Sequence, residues 1–540
     1  MTTNTTKKRL AIVGCGSSGL ASLKFALEFL SDWEIVAFEK TDSITGCWGN
    51  PYSGFVSTST RYTTQFACFP KWRATVHPDG ASRKEEFFRD GEFGEYLESF
   101  ADEFQLRDHI RLHHQVDAMK RAETGGWNLT INGAVQHFDA VVICTGLAAK
   151  SKSIESHIPQ MSARELNGTT GLEQIADKTI VVVGGGESAV DYANRLAKRE
   201  LENTVYLSLQ SGIRVSPRYH PVRGVPSDFL RNRLMLSADP ATRNVLGQLF
   251  VLARIKYRTL FEKVFPPRKK RQTNEKPESG DRARHWAMQL TLAAKDDVFN
   301  MFHNKSDDFL RAVGEERIKI IGAPKDHSFT RFMPFGPSFD ESDEEHLIEP
   351  DLVLPAIGYV STIERLSDRS LSLPEFYLGC LHGEYEDIFL VGFARPVIGN
   401  IPSISEMQAR YVCGLIAGKF KRPADIERRL QMEQDSIRSR YRMLNAKNVF
   451  PVEMFPYCNQ LARLMGLPIG PPWRTSLSAW WKTQLEPATT MHYFHTTPRV
   501  AEHLEESRVC MPLTLVVLIL FVKPFDWVFK AVNWWLGKLF

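Results

Sequence analysis

The residues of this chain best suited to chemistry lie in two glycine-rich turns, Gly14-Cys15-Gly16-Ser17-Ser18-Gly19 and, 170 residues later, Gly184-Gly185-Gly186-Glu187-Ser188-Ala189. In such a turn the first glycine permits a tight reversal, the second lets a pyrophosphate approach the backbone, and the last small residue lets helix and strand pack closely. The helix that follows adds N–H donors and the positive end of its dipole. Candidate phosphate-binding residues are therefore Gly14, Cys15, Gly16, Ser17, Ser18 and Gly19 in the first turn. In the second they are Gly184, Gly186, Ser188 and Ala189, with Asp191 just beyond. Two turns imply two dinucleotides.

The elements needed to position them are legible. Leu10-Ala11-Ile12-Val13 reads as a buried strand before the first turn, and Leu20, Leu23, Ala26, Leu27 and Leu30 give the helical period after it. A second strand, Glu34 to Phe38, ends in Glu39, 20 residues after Gly19, where a carboxylate accepts hydrogen bonds from ribose hydroxyls. The second turn follows Thr179 to Val183 and opens a helix through Ala189, Val190, Ala193 and Leu196. Its next strand, Thr204 to Ser208, ends without an acid, and Arg214 and Arg218 follow. An arginine there accommodates a 2′-phosphate, which favours NADPH over NADH. For either arginine alone, a solvated surface charge is the alternative.

Composition sets outer limits. The 540 residues, 43% hydrophobic and 24% charged with net charge +4, suit two or three globular domains and give no general sign of nucleic-acid binding. The one basic cluster, Arg268-Lys269-Lys270-Arg271, reads as a targeting signal, a lipid contact or a solvated loop. None of the eight cysteines forms a C-x-x-C pair, which argues against the flavoprotein disulfide reductases and places reduced thiols on the cytosolic side. The histidines show no metal-ligand spacing, so no metal is expected.

The C-terminus differs in character. Val509 to Val522 is almost wholly apolar, and Phe525, Trp527, Trp534 and Trp535 follow with Asp526, Lys530 and Lys538 among them. The first run is short of the ~20 residues a spanning helix needs, whereas tryptophan with lysine suits the membrane interface. A membrane anchor over 509–540 is expected, either tilted and spanning or monotopic. A buried core helix is the alternative for the first run.

The segments Ala140 to Gly146 and Asp351 to Tyr359, each a buried strand stopping at a glycine, read as returns of the chain against a cofactor. The fold class is α/β, with two Rossmann-like dinucleotide domains, the second inserted into the first, and a C-terminal hydrophobic anchor. The expected boundaries are 1–175 for the first part of one domain, 176–334 for the inserted domain with a helical cover near 220–300, and 335–445 for the resumed domain. A C-terminal extension over 446–508 and the anchor over 509–540 complete the chain.

On these motifs the chain resembles the flavin-containing monooxygenases, class B flavoprotein monooxygenases of membrane-anchored type. Gly46-Cys47-Trp48 is similar to that family's Gly-Leu-Trp, Phe66-Ala67-Cys68-Phe69-Pro70 to its Phe-Ser-Asp-Phe-Pro, and Ala356-Ile357-Gly358-Tyr359 to its Ala-Thr-Gly-Tyr. Glu406-Met407-Gln408-Ala409-Arg410 reproduces its Glu-x-Gln-x-Arg segment. The resemblance implies FAD at the first turn and NADPH at the second, and it adds Cys47, Trp48 and Gln408 to the cofactor residues. Three departures stand out. Ser162 occupies the histidine position of the family's identifying segment, Glu187 replaces its usual Asn, and Thr58 stands where animal members carry an active-site Asn. Thr58 becomes the candidate catalytic residue, with one hydroxyl donor in place of an amide.

The implied reaction passes one oxygen atom from dioxygen to a soft nucleophile, an amine nitrogen or a sulfide sulfur, through a flavin hydroperoxide. The alternatives are an NADPH oxidase releasing hydrogen peroxide and a non-catalytic redox sensor. Expected partners are a lipophilic amine or sulfide, dioxygen, a membrane at the C-terminus and a second copy in a homodimer, with no nucleic acid. The expected location is the endoplasmic reticulum membrane with the catalytic domains facing the cytosol.

Overall fold

The computed structural model describes residues 7–49, 54–74, 86–147, 150–161, 172–220, 224–257, 277–295, 297, 300–301, 303–336, 345–441, 449–511, 513–526 and 528. The chain divides into two units, one of residues 1–51, 59–150 and 359–510, the other of residues 52–58, 151–358 and 511–540.

The first unit is built on a seven-stranded sheet. Its centre is parallel: the strand Arg9–Val13 lies between Glu34–Phe38 and Ala140–Ile143, and Ile388–Leu390 pairs on the far side of Ala140–Ile143. Leu10, Ala11, Ile12, Val141, Val142 and Ile143 are fully buried, as expected of strands covered on both faces. The helix Ser17–Phe29 covers this sheet and packs extensively on the helix Ile401–Ile416.

The second unit has a four-stranded parallel sheet in the order Ile318–Ile321, Thr204–Ser208, Thr179–Val183, Leu352–Pro355. Ile180, Val182, Val190, Leu207, Phe309 and Val313 form its core with the helix Glu187–Leu196.

Pairing corrects the sequence-based boundaries. Leu352–Pro355 was expected to return to the first domain, but it is hydrogen-bonded to Thr179–Val183, so the inserted unit runs to Gly358 and not to 334. The inserted unit also starts earlier than 176, because Met161 N donates to Val353 O and ties the 151–161 segment to its edge. Residues 446–508 are no separate extension: the strand Phe450–Glu453 pairs in parallel with Ala394–Ile398, inside the first unit.

The expected anchor begins as a ten-residue helix, Leu513–Val522, about 15 Å long and half the ~30 Å of a hydrocarbon core. Among the described residues no helix is long and apolar enough to cross a membrane. This helix and its continuation are tied into the second unit. Met511 Sδ accepts from Asn232 Nδ2, Lys523 Nζ donates to Ser237 Oγ at 2.7 Å, and Asp526 accepts from Thr242 Oγ1 at 2.7 Å and Asp239 N at 3.2 Å. The region near 220–300, expected to be helical, contains the helices Pro240–Lys256 and Pro277–Leu292. Ser162 to Leu166, the basic cluster Arg268 to Arg271 and residues 529–540 lie outside the described residues.

Candidate active site

The first glycine turn has the geometry a pyrophosphate site requires. Gly14 sits at φ +95°, and a Cβ there would lie 2.9 Å from Cys144 O, so only glycine fits. A Cβ on Gly19 would lie 1.9 Å from Gly14 O, which is the close helix–strand packing read from the sequence. No side chain caps the helix Ser17–Phe29 at Gly16, which leaves its first turn of N–H groups for a phosphate. Glu39 stands at the end of its strand with its carboxylate against the turn: Oε2 accepts Cys15 N at 2.9 Å, and Oε1 accepts Thr41 N and Thr41 Oγ1 at 3.0 Å each. A carboxylate has further lone pairs for a ribose. Ser17 and Ser18 are buried, and Ser18 Oγ lies 2.9 Å from Ser405 Oγ.

The second turn repeats the pattern. Gly184 has φ +128°, and a Cβ there would lie 2.4 Å from Ala356 O. Gly186 differs: its backbone is extended, at φ −84° and ψ 175°, and a Cβ there would meet nothing within 4 Å. Open space over an uncapped helix start fits a dinucleotide phosphate. Ala189 is buried beneath the turn and Ser188 is half-buried beside it. Asp191 pairs with Arg195, and Arg195 also donates to Gly54 O. The two arginines behave differently from each other. Arg214 is 6% exposed, with Nε 3.2 Å from Met301 Sδ, and burial lowers its pKa. Arg218 spends its guanidinium on Ser57 O at 3.0 Å and Val56 O at 2.8 Å, so it braces the strand Val56–Thr60.

Two residues of this site escaped the sequence reading. Asn304 Nδ2 donates to Gly185 O at 2.9 Å and steadies the second turn from the strand Asn304–Lys305. Burial, aided by Arg231, pushes the Lys305 ammonium down to about 7, while Asp228 and Glu187 pull the other way. No motif announces them, because they lie over 110 residues from the turn and arrive by pairing with Val215–Ser216.

A family model described as flavin-binding monooxygenase-like matches residues 7–273. Human flavin-containing monooxygenase 5 is 24% identical over 86% of this chain and 83% of its own length. The rat protein named dimethylaniline monooxygenase [N-oxide-forming] 2 is 24% identical over 77% of this chain and 75% of its own. Over residues 7–273 the chain belongs to the flavin-binding monooxygenase-like family. It is an NADPH-dependent flavin monooxygenase with FAD and NADPH as cofactors. Solved structures agree on the fold. Garlic (Allium sativum) S-allyl-L-cysteine S-oxygenase superposes with TM-score 0.53 at 15% identity, covering 93% of this chain and 95% of its own. NADP⁺-bound cyclohexanone monooxygenase from Rhodococcus superposes with TM-score 0.57 at 16% identity, covering 85% and 98%.

The remaining candidates of this flavin monooxygenase sit as follows. Cys47 is exposed and Trp48 half-buried in the short turn Gly46–Trp48, with the Trp48 ring edge-on to Phe93 at 4.9 Å. Gln408 is fully buried and its amide is engaged at both ends: Oε1 accepts Gly392 N at 3.0 Å, and Nε2 donates to Tyr457 OH at 2.7 Å. Thr58 is half-buried in Val56–Thr60, and its hydroxyl meets no partner among the described residues.

Proposed function

We propose that this enzyme transfers one oxygen atom from dioxygen to a soft nucleophile, an amine nitrogen or a sulfide sulfur. The observation that carries the reading is the pair of glycine turns, each with a forced glycine, an uncapped helix and its own sheet. Bound FAD, reduced by NADPH, supplies the activation of dioxygen. The chain's tasks are binding, orientation and exclusion of water. Gly14, Cys15, Gly16, Ser17, Ser18 and Gly19 would hold the FAD pyrophosphate, with Glu39 on the ribose and Cys47 and Trp48 beyond it. Gln408 would act through Gly392. Gly184, Gly186, Ser188, Ala189 and Asp191 would line the NADPH phosphates, with Arg214 and Lys305 supplying positive charge. Thr58 would donate one hydrogen bond at the reacting centre, where animal relatives carry an amide.

Names among the relatives that specify N-oxide formation and S-oxygenation support the substrate class. The apolar helix Leu513–Val522 supports a membrane partner and, with it, lipophilic substrates. Val516, Ile519 and Val522 are buried, while Leu513, Val517, Leu520 and Phe521 are exposed, so the outer face suits a bilayer interface in a monotopic arrangement. Association with the endoplasmic reticulum membrane, with the catalytic units in the cytosol and two copies together, belongs to the same reading. A second reading, an oxidase making hydrogen peroxide, is favoured by the single donor at Thr58.

The test is NADPH consumption with and without amines and sulfides, with hydrogen peroxide and oxygenated product both measured. Product matching NADPH supports oxygen transfer. Peroxide matching NADPH with every acceptor supports the oxidase.

A further inference from the structure

The segment Phe66 to Pro70 has no strand or helix of its own, yet Phe66, Ala67 and Phe69 are buried. Buried backbone without a ladder must find partners elsewhere. They come from the Tyr96 hydroxyl, which accepts Phe66 N at 2.8 Å and donates to Phe69 O at 3.0 Å, and from one helix, Ile401–Ile416. Its cap Asn400 and the residues Ser403 and Glu406 recur at three-residue spacing on one face, and each is buried. Asn400 Nδ2 donates to Thr63 O at 2.7 Å, and Ser403 Oγ donates to Thr63 O at 2.8 Å. Glu406 accepts Ala67 N on Oε2 at 2.6 Å and Cys68 N on Oε1 at 2.8 Å. The Thr63 carbonyl just before the segment thus meets two donors, and two N–H groups within it, of Ala67 and Cys68, meet a carboxylate.

The same helix also reaches the FAD turn. Ser405 Oγ lies 2.9 Å from Ser18 Oγ, and Gln408 holds Gly392 N at 3.0 Å, while a Cβ on Gly392 would lie 2.1 Å from Ser18 Oγ. One rigid element therefore carries both the glycine-turn contact and the grip on residues 63–68, the continuation of the strand that bears Thr58.

We propose that Glu406 is a positioning residue for oxygen transfer: its two carboxylate oxygens, on the N–H groups of Ala67 and Cys68, fix the Phe66–Pro70 segment in register with the FAD-binding turn. This rests on the FAD reading of the first unit. The ionised form is required, since a protonated acid would aim an O–H at an N–H donor. Burial raises the carboxyl's pKa, and the Ala67 and Cys68 N–H groups oppose that rise. The nearby Lys24 charge opposes it as well. Glu406→Gln is nearly isosteric but turns an NH2 toward one of the two donors.

The experiment uses the full-length FAD-loaded protein and its Glu406→Gln variant. Amide hydrogen exchange in 66–69 is expected to speed up about tenfold or more. The ratio of hydrogen peroxide to NADPH consumed should rise severalfold, while FAD content and the NADPH reduction rate stay within about twofold. Unchanged exchange at 66–69 overturns the clamp. Faster exchange or a lower melting temperature with an unchanged peroxide ratio reduces Glu406 to a structural residue and overturns the positioning role. If Glu406→Gln does not fold, Ser403→Ala loosens residues 63–65 immediately before the segment, and its expected effects have the same direction and smaller size. The same exchange and peroxide outcomes in Ser403→Ala then decide the proposal. If the parent protein consumed no NADPH, the reading of the site would fail by itself, distinguishably from the exchange result.

Discussion

Gly186 offers the sharpest perturbation. Its φ of −84° and ψ of 175° are open to any L-residue, and a Cβ there would meet nothing within 4 Å, so Gly186→Ala and Gly186→Val carry no built-in strain. At the helix start alanine is a slightly poorer cap than glycine, by under about 1 kcal/mol, and the stiffer unfolded chain returns about 0.4–1 kcal/mol. The melting temperature should therefore move by no more than about 2–4 °C. The ligand has no such tolerance. A side chain in that space pushes a phosphate off the turn, and each charge-assisted N–H bond lost is worth about 1.5–3 kcal/mol, or about 10- to 150-fold in Kd. NADP⁺ titration of the FAD-loaded variants, followed by flavin absorbance, measures this directly. Valine should weaken NADP⁺ more than alanine, with FAD content unchanged. Gly184→Ala is the contrast: at φ +128° and 2.4 Å from Ala356 O it should lower the melting temperature itself. Parental NADP⁺ affinity in Gly186→Val would refute the assignment of the second turn.

Other consequences follow from the same geometry. Thr58→Val, which removes the half-buried hydroxyl, should raise the peroxide released per NADPH severalfold, and Thr58→Asn should lower it below the parent; peroxide yields indifferent to both changes would remove Thr58 from the site. Lys305 has its pKa held down to about 7 in the folded protein, against ~10.4 for an ordinary lysine, so the unfolded chain binds the extra proton between those values and the nucleotide-free protein gains stability as pH rises through that window. A bound phosphate would keep that proton, so NADP⁺ affinity should fall by up to about tenfold per pH unit above 7 and flatten in Lys305→Met. A parental slope unchanged by Lys305→Met excludes Lys305 from the phosphate site. On the C-terminal helix, Val517→Lys with Phe521→Lys changes two exposed positions; sedimentation with phospholipid vesicles should drop severalfold at unchanged FAD content, and equal sedimentation would count against the outer face as the lipid contact.

Much of the site was legible because its constraints are local. A positive φ at Gly14 or Gly184 is demanded by the next few residues, and so it writes itself into the sequence as glycine. Glu39 is legible for a related reason: it ends the strand that pairs with Arg9–Val13, and the spacing from the turn is set by one helix and one loop. Asn304, Lys305 and the role of Arg218 were not legible. Their partners at Gly185, Glu187 and Val56 are 118 or more residues away, and no spacing rule connects them. Arg218 in particular has the type and place of a phosphate ligand but is engaged on backbone carbonyls.

The sequence by itself determined that there are two dinucleotide turns, which strands and helices flank them, and that FAD belongs to the first and NADPH to the second. The turns and their flanking elements follow from backbone sterics and from the periods of strand and helix, whereas the order of FAD and NADPH is what the family resemblance implies. Only the tertiary structure decided where one unit ends and the other resumes, because that turns on whether Leu352–Pro355 pairs with Thr179–Val183 or with the first sheet, and a buried strand reads the same beside either. It also decided that the apolar run near the end is a ten-residue helix with one face on the second unit. Hydrophobicity measures how much surface must leave water; which neighbour removes it is a matter of three-dimensional packing.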